Sequence, residues 1–225
     1  MRYKQVCSGI FRSRPNRFIA HVEIDGIDTI VHVKNTGRCR ELLVPGATVY
    51  LERNENPHRK TAYDLIAVEK GERLINMDAQ APNCVFAEFA AMFDPSAARV
   101  QSECSYGQSR LDFCLYTRGG EKHFVEVKGV TLEENGHVRF PDAPTERGIK
   151  HLHELQRAVE EGNQATIFFV IQMENVSDFS PNDVTHLAFG EALRQAAASG
   201  VQVEAWDCRV TPDSITIREP VKVIL

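Results

Sequence analysis

At 225 residues, 43% hydrophobic and 25% charged, the chain has the make-up of a folded globular protein with room for one large domain or two modest ones. No apolar run approaches the ~20 residues of a membrane-spanning helix, and the six cysteines lack any Cys-x-x-Cys pair, which argues against zinc binding and a disulfide framework and for free buried thiols. The net charge of −5 is unevenly spread: residues 1–80 hold 13 Lys and Arg against 10 Asp and Glu, and residues 81–225 hold 13 against 21. A basic first part suits phosphate contact and an acidic second part suits metal binding, although an asymmetry of this size also arises by chance.

The start, Met1-Arg2-Tyr3-Lys4-Gln5-Val6, lacks the apolar stretch of a signal peptide, so a cytoplasmic location and no membrane partner are expected. Short alternating runs follow at Phe18–Ile24, Thr29–Val33, Thr48–Leu51 and Tyr63–Val68. They are separated by the turn signals Asp25-Gly26, Asn35-Thr36-Gly37, Pro45-Gly46 and Asn56-Pro57. Five or so short strands in this space predict a small OB-like β-barrel. Arg12, Arg14, Arg17, Arg38, Arg40, Arg59 and Lys60 fall at strand ends and turns, where they either contact nucleic-acid phosphates or form a solvated rim.

The composition changes near Pro82, which predicts an OB-like domain over 1–80 and a second domain over 81–225. Asn83 reads as the cap of a helix running to Phe93 and stopped by Pro95. Strands are predicted near 98–104, 110–117 and 122–130. Thr145 opens a helix with apolar Ile149, Leu152, Leu155 and Val159, closed by Gly162. Thr166–Ile171 reads as a buried central strand, Leu187–Leu193 as part of a helix ending at Gly200, and Val201–Trp206 as another strand. The fold class is therefore α+β with two domains, the second an α/β mixed sheet flanked by helices.

Charged residues interrupt two of these apolar strands: Asp112 in the first, Glu126 and Lys128 in the second. Glu126 and Lys128 are two apart and share a face. A turn around Gly119-Gly120 folds Asp112 towards Glu126. Two carboxylates and an ammonium at one sheet edge suit Mg²⁺ or Mn²⁺, which keeps waters and needs few protein oxygens. The alternative is a structural ion pair. His32, His151 and His153 are candidate metal ligands or bases; the last two are two apart on a helix, do not share a face, and at least one is expected in solvent. Phe140-Pro141-Asp142-Ala143-Pro144 is a rigid loop, either lid or connector. Gly107 and Gly129 either admit a phosphate or mark bends.

The order helix, three-strand meander, helix, strand resembles the core of the PD-(D/E)xK nuclease superfamily, a restriction-endonuclease-like fold. That resemblance implies catalytic roles for Asp112, Glu126 and Lys128, a further acid at Glu88, and auxiliary positions at Lys150 or Gln172. The whole chain resembles the bacterial sugar fermentation stimulation protein A family. The matching stretches include Pro15-Asn16-Arg17-Phe18, His32-Val33-Lys34-Asn35-Thr36-Gly37-Arg38, Tyr106-Gly107-Gln108-Ser109-Arg110-Leu111-Asp112-Phe113, Glu126-Val127-Lys128-Gly129 and Phe140-Pro141-Asp142-Ala143-Pro144-Thr145. This resemblance implies an OB-like domain joined to a nuclease-like one, DNA as partner, and a link to sugar use, including maltose. It also allows paired nuclease-like domains in a homodimer. The leading expectation is a Mg²⁺- or Mn²⁺-dependent phosphodiester hydrolase with metal on Asp112 and Glu126. The alternatives are a non-catalytic DNA-binding regulator of sugar metabolism genes and, third, a protein-binding module.

Overall fold

The computed structural model describes residues 1–56 and 58–225. Pro57, half of the expected Asn56-Pro57 turn, lies outside the described residues. The first part is built from β1 (Val6–Ser13), β2 (Ile19–Ile24), β3 (Ile27–Val33), β4 (Thr48–Arg53), β5 (Tyr63–Lys70) and β6 (Arg73–Asn76). Their order is β3-β2-β1-β4-β5-β6, and parallel pairing of β3 with β5, His32 opposite Asp64, closes β1 to β5 into an OB barrel. Alternation drives closure: Ala20, Val22 and Ile24 of β2 and Val49 and Leu51 of β4 point inward, while the residues between them face outward. The central strand β1, absent from the expected set, crosses β2 closely at Gly9. A Cβ there would stand 2.6 Å from Val22 Cγ1 and 2.9 Å from the Glu23 carbonyl.

The second part opens with α1 (Ala81–Phe93), followed by the antiparallel meander β7 (Ala97–Tyr106), β8 (Ser109–Thr117) and β9 (Lys122–Val130). Then come β10 (Glu133–Glu134), β11 (His137–Phe140), α2 (Glu146–Glu160), β12 (Gln164–Ile171), β13 (Asp178–Pro181), α3 (Asp183–Ala198), β14 (Gln202–Thr211), β15 (Ser214–Pro220) and β16 (Lys222–Val223). The main sheet runs β15-β14-β12-β9-β8-β7, with β12 parallel to both β9 and β14. It is the expected mixed sheet with helices. Thr145 caps α2 as its sequence implies, Oγ1 accepting from Gly148 N at 3.0 Å.

Asn83 does not cap α1. Pro82 tolerates the first helical turn, so the helix begins earlier, at Ala81, and Asn83 sits inside it with its side chain free for another task.

The helices cover opposite faces of the sheet. Phe86 and Phe89 of α1 pack with Phe113, Val125, Val127 and Phe168, while Leu152 and Leu155 of α2 and Phe189 and Leu193 of α3 belong to the cluster of Phe124, Ile167 and Phe169. The second cluster is continuous with the barrel interior. Polar bonds bridge the parts too: Gln172 Nε2 donates to Asn76 Oδ1 at 2.8 Å and to the Asp78 carbonyl at 3.0 Å. The first residues belong with the second part, since Tyr3 is buried in the α1 cluster and its N–H donates to the Asp213 carbonyl at 2.7 Å. Among the described residues no helix is long and apolar enough to cross a membrane.

Candidate functional site

β8 and β9 pair from Tyr116 opposite Lys122 to Phe113 opposite Val125, and there the ladder stops. The next step would set Asp112 against Glu126. Instead the Asp112 side chain enters the gap: Oδ2 accepts from Val127 N at 2.9 Å, and Oδ1 accepts from Asn83 Nδ2 of α1 at 2.9 Å. A buried N–H left unpaired here would cost about 1–3 kcal/mol. The carboxylate therefore stabilises the place where the strands part.

Val125 and Val127 face α1, so Glu126 and Lys128 face the α2 side. Glu126 is 1% exposed. Its Oε1 accepts from both Lys128 Nζ and His151 Nδ1 of α2. Arg147 Nε lies 3.4 Å from His151 Nε2, which makes Nε2 the acceptor and leaves the proton of a neutral ring on Nδ1. Glu126 Oε2 is buried and has no hydrogen-bond partner. Burial pushes the Glu126 carboxyl up, but the His151 hydrogen bond and the Lys128 charge outweigh it, and the net shift is downward. Asp112 moves the other way. Burial, then the nearby Glu126 charge, raise its pKa against the opposing effects of Lys128, Val127 N–H and Asn83.

These residues fit a hard divalent cation. The Lys128 ammonium stands beside carboxylates, and the unpartnered Glu126 Oε2 is an available oxygen ligand. Among the described residues no group of three or more His, Cys, Asp or Glu side chains is gathered to hold a metal.

Glu126 and Lys128 are in contact, and the charges of both act on Asp112; Glu88 is not among their contacts. It pairs with the Met1 ammonium at 2.5 Å, and its side chain is 59% exposed. Lys150 Nζ binds the Gln108 carbonyl at 3.0 Å, and Gln172 spans the two parts of the molecule. His153 is exposed, whereas His151 is buried on Glu126. His32 Nδ1 meets Asp64 Oδ1 at 2.9 Å on the barrel. Asn83 and the partnership of His151 were missed by sequence reasoning. Gly129 permits a close approach: a Cβ would lie 2.5 Å from Gln172 Oε1 and 2.6 Å from Pro82 Cγ. Beside it a cavity of about 180 Å³ is lined by Gly129, Gln172, Asp142 and the barrel loop Asn35-Thr36-Gly37.

On the barrel, Arg12, Arg14, Arg17, Arg38 and Arg40 line a groove of about 730 Å³; Lys60 is exposed outside it. Their environments differ. Arg14 donates to the carbonyls of Arg17, Asn35, Gly37 and Arg38 at 2.6–3.0 Å, so it braces the groove from within. Arg12 is paired with Glu23 at 2.6 Å. Arg17, Arg38 and Arg40 are exposed.

Fold and cluster define a two-domain protein, an OB barrel joined to a mixed-sheet domain carrying a carboxylate–lysine centre where two strands part. The pattern described as the sugar fermentation stimulation protein RE domain matches residues 80–214, and that described as the SfsA N-terminal OB domain matches 13–77. A sugar fermentation stimulation protein homolog of Desulfitobacterium hafniense strain Y51 is 55% identical over 226 residues, covering 100% of this chain and 99% of the relative. A homolog in Clostridium beijerinckii is 52% identical over 227 residues, covering 100% of both. The structure of Pyrococcus furiosus SfsA in complex with Ca²⁺ superposes with a TM-score of 0.88 at 28% identity, covering 100% of this chain and 98% of that one. The chain belongs to the sugar fermentation stimulation protein family.

Proposed function

We propose that this protein is a DNA-binding phosphodiester hydrolase dependent on Mg²⁺ or Mn²⁺, with 1–80 as the nucleic-acid-binding domain and 81–225 as the catalytic one. The observation that carries this reading is the buried, unpartnered Oε2 of Glu126 beside Asp112 and Lys128. Asp112 and Glu126 would hold the cation, which when bound supplies charge neutralisation and a more acidic water. The Ca²⁺ of the Pyrococcus furiosus relative supports a divalent ion, since Ca²⁺ and Mg²⁺ both take oxygen ligands.

Lys128 holds a positive charge where a scissile phosphate would develop negative charge. His151 is a positioning residue: it fixes Oε1 and leaves Oε2 free. Glu88 stays outside this assignment because the Met1 ammonium engages it. The arginine groove supplies backbone contacts without sequence readout.

A second reading is a non-catalytic DNA-binding regulator of sugar metabolism genes. It draws on Lys128 and His151 both sitting on Glu126, an arrangement that also serves as a structural ion pair. Single-stranded, duplex and branched DNA incubated with Mg²⁺ or Mn²⁺ separates the two. Cleavage lost in Glu126→Gln supports the hydrolase. DNA binding by wild type without cleavage of any substrate overturns it in favour of the regulator.

A further inference from the structure

The barrel carries an exposed aromatic residue, on a backbone pinned by hydrogen bonds, in the lining of a pocket. Phe18 is 56% exposed. Isolated exposed apolar side chains are ordinary, but this one is held on every side of its backbone. Asn16 Oδ1 accepts from Phe18 N at 2.9 Å and from Ile19 N at 3.1 Å. The Phe18 carbonyl accepts from Val33 N at 2.8 Å, and the preceding carbonyl, of Arg17, is held by Arg14 at 2.8 Å.

The ring borders a pocket of about 490 Å³ that also includes His32, Lys34, Thr36 and Arg59, within the ~300–1,000 Å³ of small-molecule sites. The acid in this pocket nearest to His32 is neutralised, since Asp64 is held by Arg59 through two contacts of 2.7 Å. Exposed Arg17 precedes Phe18 in sequence and opens onto the groove shared with Arg38 and Arg40. The Phe18 pocket and the 180 Å³ cavity share Thr36 and Ala79 as lining, and the second reaches Gly129, the neighbour in sequence of Lys128.

We propose that Phe18 is a stacking platform for an unpaired nucleobase, so that the substrate class is single-stranded DNA or a single-stranded flank. This rests on the nucleic-acid reading above. Stacking needs an open base face; in a duplex both faces are covered by neighbouring pairs, whereas a single strand can splay its bases.

The test is fluorescence anisotropy, in EDTA to prevent cleavage, with a labelled oligothymidylate of about 15 nucleotides, within the ~4–16-nucleotide footprint of OB folds, and with a duplex of the same length. Wild type is expected to bind the single strand. Phe18→Ala weakens that binding about tenfold, in the range of one base–aromatic stack, and leaves duplex binding and the salt dependence unchanged. Phe18→Trp restores affinity and its fluorescence is quenched on binding, over the constant background of Trp206. Unchanged single-strand affinity in Phe18→Ala, or an equal loss on both substrates, overturns the platform. A wild type that binds duplex and ignores the single strand overturns it while leaving the nucleic-acid reading standing. If wild type binds neither, that reading falls as well.

Discussion

The barrel groove and the strand-split centre handle charge in opposite ways. In the groove, Arg17, Arg38 and Arg40 stand in solvent. Each such charge is worth little alone and is weakened by salt, so the groove acts through number. In the centre, Glu126 is 1% exposed and shares Oε1 between Lys128 and His151. A charge there is costly to bury and can be kept only by its partners. On the proposed reading, the difference teaches where each function would reside: the exposed region would hold a polyanion without choosing its position, and the buried one would act on a single phosphate while contributing little total affinity.

The largest effect expected from this contrast is on cleavage. On the hydrolase reading, Lys128→Ala removes a positive charge that would act mainly as charge develops in the transition state. A loss of about 10²–10³ in kcat is expected, with nucleic-acid affinity falling by less than about tenfold. Single-turnover cleavage and anisotropy on the same folded sample check both. A folded variant that cleaves at the wild-type rate removes Lys128 from the mechanism, and one that keeps its rate but loses binding collapses the contrast between the two regions.

His151 sharpens the same point. Its Nδ1–H orients Glu126, and loss of such a supporting bond costs about 10–100-fold in metal affinity. His151→Ala should weaken Mn²⁺ binding in calorimetry by that factor, and His151→Asn, which keeps an N–H donor, should recover part of it. Equal Mn²⁺ affinity in all three proteins would leave His151 as packing only.

This residue also marks the limit of what the sequence discloses. The β8–β9 hairpin that carries Asp112, Glu126 and Lys128 was legible because period-two alternation and a glycine turn are local. His151 was on the page as a helical histidine, but its contact with Glu126 depends on how α2 lies on the sheet, which no short pattern encodes. Asn83 looked like a cap because Asn favours that position; the helix starting at Ala81 freed it to hold Asp112. Glu88 matched a family position, yet its ion pair is with Met1, 87 residues away in sequence. β1 escaped because Cys7, Ser8 and Gly9 blur its apolar alternation. Arg14 looked like its basic neighbours, and only the fold shows its guanidinium spent on four carbonyls.

A smaller effect tests whether the two regions are held in one frame. Glu133, beyond β9, receives Lys70 of β5 at 2.8 Å and Arg73 of β6 at 2.5 Å. Burial pushes its carboxyl up, but Lys70, the Gly136 N–H and Arg73 bring it down from 4.5 to about 2. A lowered carboxylate pKa means that the native state binds this proton less tightly than the unfolded chain. The latch is thus fully present above about pH 4.5 and is lost as pH falls towards about 2. Glu133→Gln should cost roughly 2 kcal/mol at pH 7, allowing for screening around partly exposed Lys70 and Arg73, and lower Tm by about 4–8 °C. The gap to wild type should close on acidification through that window. A constant gap from pH 7 to pH 3 would show that the ion pairs do not carry the effect.

The smallest effect lies in the groove, where chemically identical side chains should behave differently. Arg17→Ala together with Arg38→Ala should weaken duplex binding about tenfold at physiological salt. The slope of log affinity against log salt should become shallower by roughly 1.8, as two phosphate contacts disappear. Arg12→Ala should do less, because its guanidinium already faces Glu23 at 2.6 Å. Arg14→Ala should act through stability instead. Four backbone carbonyls lose their donor, and the loop carrying Arg17 and Arg38 loosens with them. Thermal melts beside salt titrations separate these outcomes. If Arg14→Ala shifts the salt slope without lowering Tm, Arg14 contacts phosphate and the groove has no internal brace. If Arg17 and Arg38 leave the slope untouched, the groove is a solvated rim and the phosphate contacts lie elsewhere on the molecule.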